Sequence, residues 1–440
     1  MSTEPVSIPT KRAPMKVVFA SLVGTTLEWY DFFLYGSAAA LVFNKLFFPA
    51  GDPLTGTLLA FITYAVGFVA RPLGGLVFGH YGDRLGRKKL LVLSLVMMGG
   101  STFVIGLLPT YQAIGVAAPL LLTALRLVQG FAIGGEWGGA VLMVSEHGSA
   151  EHRGFWSSWP QGGVPMGNLL GTAVLAVLAA VQSEEAFLQW GWRIGFLLSG
   201  LLVLIGLWVR LAVTESPVFL AAAQQAEESG SQQRAPVLEV LRRYRSEVLT
   251  AMGARFAENV VYYMLTSFVL TYVATFLELP RGLALNASLI AAAIHFVSIP
   301  LWGALSDRVG RRPVYLFGAV GTGLWAFAFF PLVDTKSFWI ITFATTIGLI
   351  FHGAMYGPQA AYFAELFGTR VRYSGASIGY QLASIVAGSL APIIATALLS
   401  AFGSATPIAV YVAACSAVTF IAVARSPETR TRDLAADHAL

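Results

Sequence analysis

Among the ionisable residues that stand inside long apolar runs of this chain are Glu28, Asp31, Arg71, Arg126, Glu136, Arg255 and Glu258. A charge in hydrocarbon costs several kcal/mol unless it is paired or hydrated, so each one marks a structural pair, a proton site or a solute contact. Glu28 and Asp31 are three residues apart, which puts both on one helix face, and Tyr35 continues that stripe. Two carboxylates so close cannot both be charged cheaply in a poorly hydrated site. One of them is therefore expected to carry an exchangeable proton. The alternative is a fixed ion pair with Arg71, at similar depth in the next apolar run, with Asp31 the favoured partner.

Arg126 offers a planar fork that takes a carboxylate through two parallel hydrogen bonds. It is the first candidate contact for an anionic solute, with Gln129 on the same run. Glu136 lies roughly 15 Å further along that helix and about 80° round it, so the two should not pair. Glu136, beside Gly134 and Gly135, becomes a second candidate proton site. Arg255 and Glu258 have the spacing of an i,i+3 ion pair. Asn259, Tyr262, Tyr263 and Gln381 are candidates for hydrogen bonds to solute hydroxyls. His295 and His352 read as satisfied donors between helices, with a proton relay as the alternative.

The elements that must position these groups follow from composition. Only 12% of the 440 residues are charged and 56% are hydrophobic, with mean hydropathy +0.70. A soluble domain needs about 25% charged residues, so most of this surface faces something other than water. At about 20 residues per span the chain accommodates about twelve transmembrane helices. Apolar runs fall at 16–41, 56–80, 90–108, 119–145, 154–181 and 191–213, then at 247–276, 284–304, 313–331, 337–364, 373–400 and 405–424. The reading is an all-α polytopic membrane protein: a tail 1–15, a six-helix bundle 16–213, a polar loop 214–246, a second bundle 247–424 and a tail 425–440. Of the 28 Lys and Arg residues, Lys45, Arg193, Arg281 and Lys336 fall on one side and Arg71, Arg126 and Arg255 lie within spans. All the others, Arg210 among them, fall on the opposite side, which the positive-inside rule makes the cytoplasm, with both termini.

The two bundles repeat one another. Gly79-His-Tyr-Gly-Asp83-Arg84-Leu-Gly86-Arg87-Lys88 follows the second run, and Gly303-Ala-Leu-Ser-Asp307-Arg308-Val-Gly310-Arg311-Arg312 follows the eighth. Glu146 precedes Arg153 by seven residues, as Glu365 precedes Arg372, and Trp137-Gly138 answers Tyr356-Gly357 upstream. Parallel repeats of this kind enclose a site at their interface. In that register Arg126 falls on Thr345 and Glu136 on Met355, so the scaffold repeat does not require either charge.

The doubled Gly-x-x-x-Asp-Arg-x-Gly-Arg-Lys/Arg motif resembles the signature of the major facilitator superfamily. Glu28-Trp-Tyr-Asp31-Phe, Arg71-Pro-Leu-Gly-Gly, Gln129-Gly-Phe-x-x-Gly-Gly-Glu136, Trp190-Gly-Trp-Arg193 and Arg372-Tyr-Ser-Gly375 look like the metabolite:proton symporter family within it. Gly134-Gly-Glu-Trp-Gly-Gly-Ala140 is most similar to the shikimate-transporter branch of that family. The resemblance implies twelve helices in two six-helix bundles and residence in the bacterial inner membrane as a monomer. It also implies salt-bridge clusters that close the cytoplasmic side: Asp83, Arg87, Glu146 and Arg153 from one half, Asp307, Arg311, Glu365 and Arg372 from the other.

The resulting expectation is a proton-driven importer of a small organic acid, shikimate-like or a mono- or dicarboxylate, by alternating access. An importer of a zwitterionic osmolyte such as proline or betaine is the main alternative, followed by a drug or metabolite exporter. A sensor or membrane enzyme would need an appended domain or a nucleophile constellation, and the sequence offers neither. The lone Cys415 and six scattered histidines give no metal-ligand spacing. The glycine pairs lie inside spans, where they permit close helix approach rather than cradle phosphate. The implied partners are the solute, protons and lipid, with no nucleotide, nucleic acid or cofactor.

Overall fold

Backbone N–H and C=O groups find no water in hydrocarbon, so apolar runs of this length satisfy themselves as helices. The computed structural model describes residues 15–49, 53–85, 87–147, 149–211, 236–368, 371–432 and 434. Twelve long helices occupy the expected runs. The first six are α1 (Met15–Ala38), α2 (Pro53–Leu85), α3 (Arg87–Leu107), α4 (Ala117–His147), α5 (Arg153–Ala180) and α6 (Trp192–Leu211). The second six are α7 (Arg245–Tyr263), α8 (Arg281–Val309), α9 (Arg311–Val333), α10 (Phe338–Leu366), α11 (Arg372–Ala383) and α12 (Thr406–Arg425). π-helical turns extend α7 to Phe276, and the turn Ser384–Ser389 joins α11 to the helix Ala391–Phe402. Among the described residues, ten helical stretches are long and apolar enough to cross a membrane. The other two are α2, whose described apolar stretch is Ile62–Phe78, and α7, which carries Arg255, Glu258 and Asn259.

Packing repeats as the motifs do. Helix α1 lies on α5 as α7 lies on α11, α2 on α4 as α8 on α10, and α3 on α6 as α9 on α12. Between the halves, α5 packs against α8 and α10, and α11 packs against α2 and α4. The polar stretch expected as a loop contains a helix, Pro236–Arg243, whose Val240 is buried with Tyr244 and Val248. Its apolar residues gather on one face with charges on the other, a pattern that a composition count over the stretch averages away.

The glycine stripe of α4 sets how near the site's walls come. A Cβ at Gly134 would lie 2.0 Å from the Arg71 carbonyl oxygen, and one at Gly130 would lie 2.0 Å from that of Gly67. Backbones of α2 and α4 therefore touch, and that contact places Arg71 and Arg126 side by side. Gly134→Ala is expected to destabilise the protein by at least the 1–3 kcal/mol typical of overpacking, roughly, because the obstructing atom is backbone. Gly100, whose Cβ would meet open space, should accept Ala without loss. Thermal unfolding of the two variants in detergent measures the difference.

Candidate functional site

Two arginines meet at the centre of the first half. The guanidinium carbons of Arg71 and Arg126 each stand 4.5 Å from the Phe32 ring centroid. Arg71 also lies 4.0 Å from Phe68 and 5.6 Å from Trp29, and Arg126 lies 4.3 Å from Tyr35 and 4.8 Å from Tyr64. Both side chains are buried, and no carboxylate lies within ion-pair distance of either among the described residues. Arg126 Nη1 donates to Gln129 Oε1 at 3.0 Å, while Nε and Nη2 of both arginines lack hydrogen-bond partners among the described residues. Room for Arg126 comes from Gly67, where a Cβ would sit 2.8 Å from Nε. The wall from the second half is Tyr263, 5.5 Å from Phe68, with Tyr262 6.2 Å from Phe33. Asn259 Nδ2, unpartnered, faces Gly388 beside Tyr263 and Phe68.

The expected pair between Asp31 and Arg71 does not form. Asp31 instead accepts a short hydrogen bond from Ser199 on α6 and has Thr102 on α3 beside it. Helix spacing fixes the face of α1 that Asp31 occupies, and that face looks toward α3 and α6 rather than α2. The structural ion pair assigned to Arg71 is likewise replaced by ring contacts and by Tyr263. A polar chain nevertheless joins acid to base: Gln129 Nε2 donates to Thr102 Oγ1 at 2.7 Å, so Asp31, Thr102, Gln129 and Arg126 stand in line.

Glu28 and Asp31 were expected to share one site, and they do not. Glu28 shares Arg210 with Glu136: Arg210 Nη2 lies 3.1 Å from Glu28 Oε1 and 3.2 Å from Glu136 Oε1. Thr25 donates to Glu136 at 3.1 Å and Ser94 to Glu28 at 3.4 Å. Two buried carboxylates thus hold one guanidinium between them. Arg210, counted above with the loop cations, is buried here because a glycine opens α1 to it. A Cβ at Gly24 would lie 2.5 Å from Arg210 Nη2. That glycine, one turn before Glu28, was the available sequence signal. Ser199 and Thr102 gave none.

Arg255 Nη1 lies 2.6 Å from Glu258 Oε2, and its guanidinium covers Tyr380 at 3.2 Å. Tyr380 stacks on Trp137 of the other half at 3.9 Å. Gln381 stands away from the arginine cage and bridges the halves, donating to the Gly134 carbonyl at 3.0 Å. Tyr35 donates to or accepts from Thr63 at 2.7 Å behind the cage.

One end of the bundle is locked across the halves. Arg153 meets Glu365 at 2.9 Å and Arg372 meets Glu146 at 3.4 Å, each pair joining one half to the other. Arg311 adds Asp307 at 2.7 Å and Glu365 at 3.0 Å. Asp307 also accepts the Gly154 and Phe155 N–H groups at 2.8 Å, donors that the first turn of α5 leaves open. The segment after α12 fastens onto the same cluster, with Thr429 donating to Glu365 at 2.7 Å and Glu428 accepting the Arg311 N–H at 2.9 Å. The side chains of Asp83 and Arg87 lie outside the described residues.

Comparison with known proteins bears on the fold and the family. The family model described as Major Facilitator Superfamily matches residues 21–377 and 282–438. A shikimate transporter of Escherichia coli strain K12 is 44% identical over 91% of this chain and 91% of its own length. An inner membrane metabolite transport protein of the same strain is 40% identical over 95% of each chain. Its proline/betaine transporter is 35% identical over 95% of this chain and 84% of that one. Among solved structures, the proton:xylose symporter XylE superposes with TM-score 0.78 over 96% of this chain and 97% of that chain, at 18% identity.

Breaking a buried pair from one side leaves an uncompensated charge, at a cost of about 3–5 kcal/mol. Glu365→Gln is therefore expected to lower the thermal midpoint in detergent and to speed alkylation of a cysteine placed at buried Ser157. Glu239→Gln, which breaks the solvent-facing contact with Arg243 at 3.9 Å, should change neither.

Proposed function

The chain belongs to the Major Facilitator Superfamily, and on that premise we propose that it imports a small organic acid together with protons by alternating access. Membership makes it a multi-pass inner-membrane transporter and not an enzyme. The observation that carries the finer reading is the pair of buried arginines, Arg71 and Arg126, with four guanidinium nitrogens that lack partners among the described residues. Leaving a buried charged donor unmet is costly, so such groups are kept where a ligand meets them. A carboxylate takes two parallel N–H groups from either fork. Asn259 and Tyr262, on the opposite wall, suit hydroxyls of the same solute, in keeping with a hydroxylated acid of the shikimate kind. For a betaine-like zwitterion, the ring faces that would hold its cationic group are already covered by guanidinium. That favours the acid.

Asp31 is the coupling carboxylate in this reading, because a hydrogen-bond chain connects it to Arg126. The Thr102 hydroxyl has one proton and two acceptors, Asp31 and the Met98 carbonyl at 3.0 Å. While Asp31 is charged, Thr102 donates to it and the negative field of Asp31 holds Arg126. A proton arriving on Asp31 lets Thr102 turn to Met98 and removes that field. Arg126 then faces the solute alone, so proton loading favours anion binding. Glu28 and Glu136, sharing Arg210, are the second proton-holding candidates, since one proton between them balances the cluster. Orientation follows the Lys and Arg distribution: the locked end is cytoplasmic, and its pairs must part for inward release.

In proteoliposomes with an imposed pH gradient, Arg126→Ala should abolish uptake of labelled shikimate while the purified variant stays folded. Wild-type affinity in that variant would overturn the anion fork. Asp31→Asn should lose accumulation against a gradient but keep solute-for-solute exchange, which moves no net proton. If it still concentrates the solute, coupling lies elsewhere. External alkalinisation on adding solute distinguishes symport from export.

A further inference from the structure

The second half holds a buried chain of ionisable groups that no step above employs. Glu258 Oε1 lies 3.2 Å from His352 Nε2, and His352 Nδ1 lies 2.9 Å from His295 Nε2. All three are buried, on α7, α10 and α8. The remaining nitrogen, His295 Nδ1, has no hydrogen-bond partner among the described residues.

Hydrogen-bond chemistry gives this chain a direction. Glu258 is paired with Arg255 at 2.6 Å and can only accept, so His352 must carry its proton on Nε2. His352 Nδ1 is then an acceptor, which requires the proton of His295 on Nε2. His295 Nδ1 is left as a bare lone pair at the end of the line. We infer that His295, His352 and Glu258 form a proton wire, open at His295 Nδ1 and ending on the carboxylate that holds Arg255.

Each transfer balances. A proton binds His295 Nδ1, the proton on His295 Nε2 passes to His352 Nδ1, and the proton on His352 Nε2 passes to Glu258 Oε1. Both imidazoles end neutral in the opposite tautomer, and the carboxylate ends as a carboxylic acid. The trigger is Arg255. Its guanidinium also contacts Ser384 at 3.2 Å and Gln359 at 3.3 Å and covers Tyr380, which stacks on Trp137 across the halves. An anion that draws Arg255 toward this face leaves Glu258 buried without a counter-charge, and a buried lone carboxylate takes up a proton. That last step rests on the anionic solute proposed above, whereas the wire itself does not.

Among the described residues, the surroundings supply no competing acid or base. From α9, Tyr315 meets Gln359 at 2.8 Å, and Gln359 reaches Glu258 Oε2 at 3.4 Å. From α10 and α7, Tyr356 and Tyr262 stack 5.2 and 5.0 Å from His352, and Tyr380 stands on α11. From α5, Gln161 donates to the Tyr356 carbonyl at 3.1 Å and brings no charge. Phenols at these positions are spectators at neutral pH. Among the described residues, the cation facing the wire is Arg255.

The test uses full-length protein in lipid nanodiscs and no solute, so it stands apart from any failure of the transport reading. Histidine-labelled NMR of the wild type at neutral pH, assigned by loss of signals in His295→Gln and His352→Gln, should show both rings protonated on Nε2, with His295 Nδ1 bare. A proton on His295 Nδ1 overturns the wire. Infrared spectra at the same pH should show Arg255→Gln gaining one protonated-carboxyl band relative to wild type, with Arg255→Met as a second variant of similar volume. The band should vanish in the Arg255→Gln, Glu258→Gln double variant. A carboxylate that stays ionised without Arg255 overturns the trigger.

Discussion

A charge buried among hydrocarbon must be answered by something, and how fully each arginine here is answered organises the molecule. At the locked end, Glu365 receives Arg153, Arg311 and Thr429 together, so no single bond decides whether the halves stay joined. At the centre, among the described residues, Arg71 has ring faces and Tyr263, and Arg126 has ring faces and the Gln129 amide oxygen. A cation over an aromatic ring contributes about 0.5–2 kcal/mol, less than the roughly 3–5 kcal/mol at stake in a buried ion pair. The locked end is thus held by interactions that offset desolvation, while the centre is left short. In the proposed reading, a solute carboxylate completes what the fold leaves open.

The incompleteness depends on backbone contacts far stiffer than the side chains. Were α2 and α4 held apart by even a methyl group at Gly134, Arg71 and Arg126 would not share Phe32, and two like charges would not be forced together. Their mutual repulsion is tolerable only because Asp31 stands near Arg126 through Thr102 and Gln129, at one remove. Direct contact between Asp31 and either arginine would close the site to an anion. The neutral relay keeps the negative field close without occupying the donors.

Much of this was legible in the sequence, and the limits have a physical pattern. The repeat register picked out Glu146, Arg153, Glu365 and Arg372, which meet across the halves, and Asp307 and Arg311 beside them, because register is a one-dimensional property; the side chains of Asp83 and Arg87 lie outside the described residues. Arg126 stood out because the repeat does not require it. What sequence could not supply is which helix a given face meets. Asp31 and Arg71 sit at similar depth on consecutive helices, yet α1 turns Asp31 toward α3 and α6. Arg210 sits at the end of an apolar run and counts as a loop charge, until the gap beside Gly24 draws it inward. Depth and face are local, whereas partnership is set by tertiary packing.

The two halves, alike in helix packing, hold Asp31 and Glu258 in opposite ways. In the first half Asp31 is separated from Arg126 by a threonine and a glutamine, so each can change partner without stranding the other, while Glu28 and Glu136 hold Arg210 directly. In the second half Glu258 grips Arg255 directly, and a change at one must be felt by the other at once. A symmetric pair of relays would give a solute no preferred orientation between the halves. An acid with one carboxylate end and one hydroxyl end needs unequal walls, and the cage of Arg71 and Arg126 facing Asn259 and Tyr262 provides them. The departures from the repeat are therefore where specificity has to reside, since everything the halves share is already committed to holding them together and letting them part.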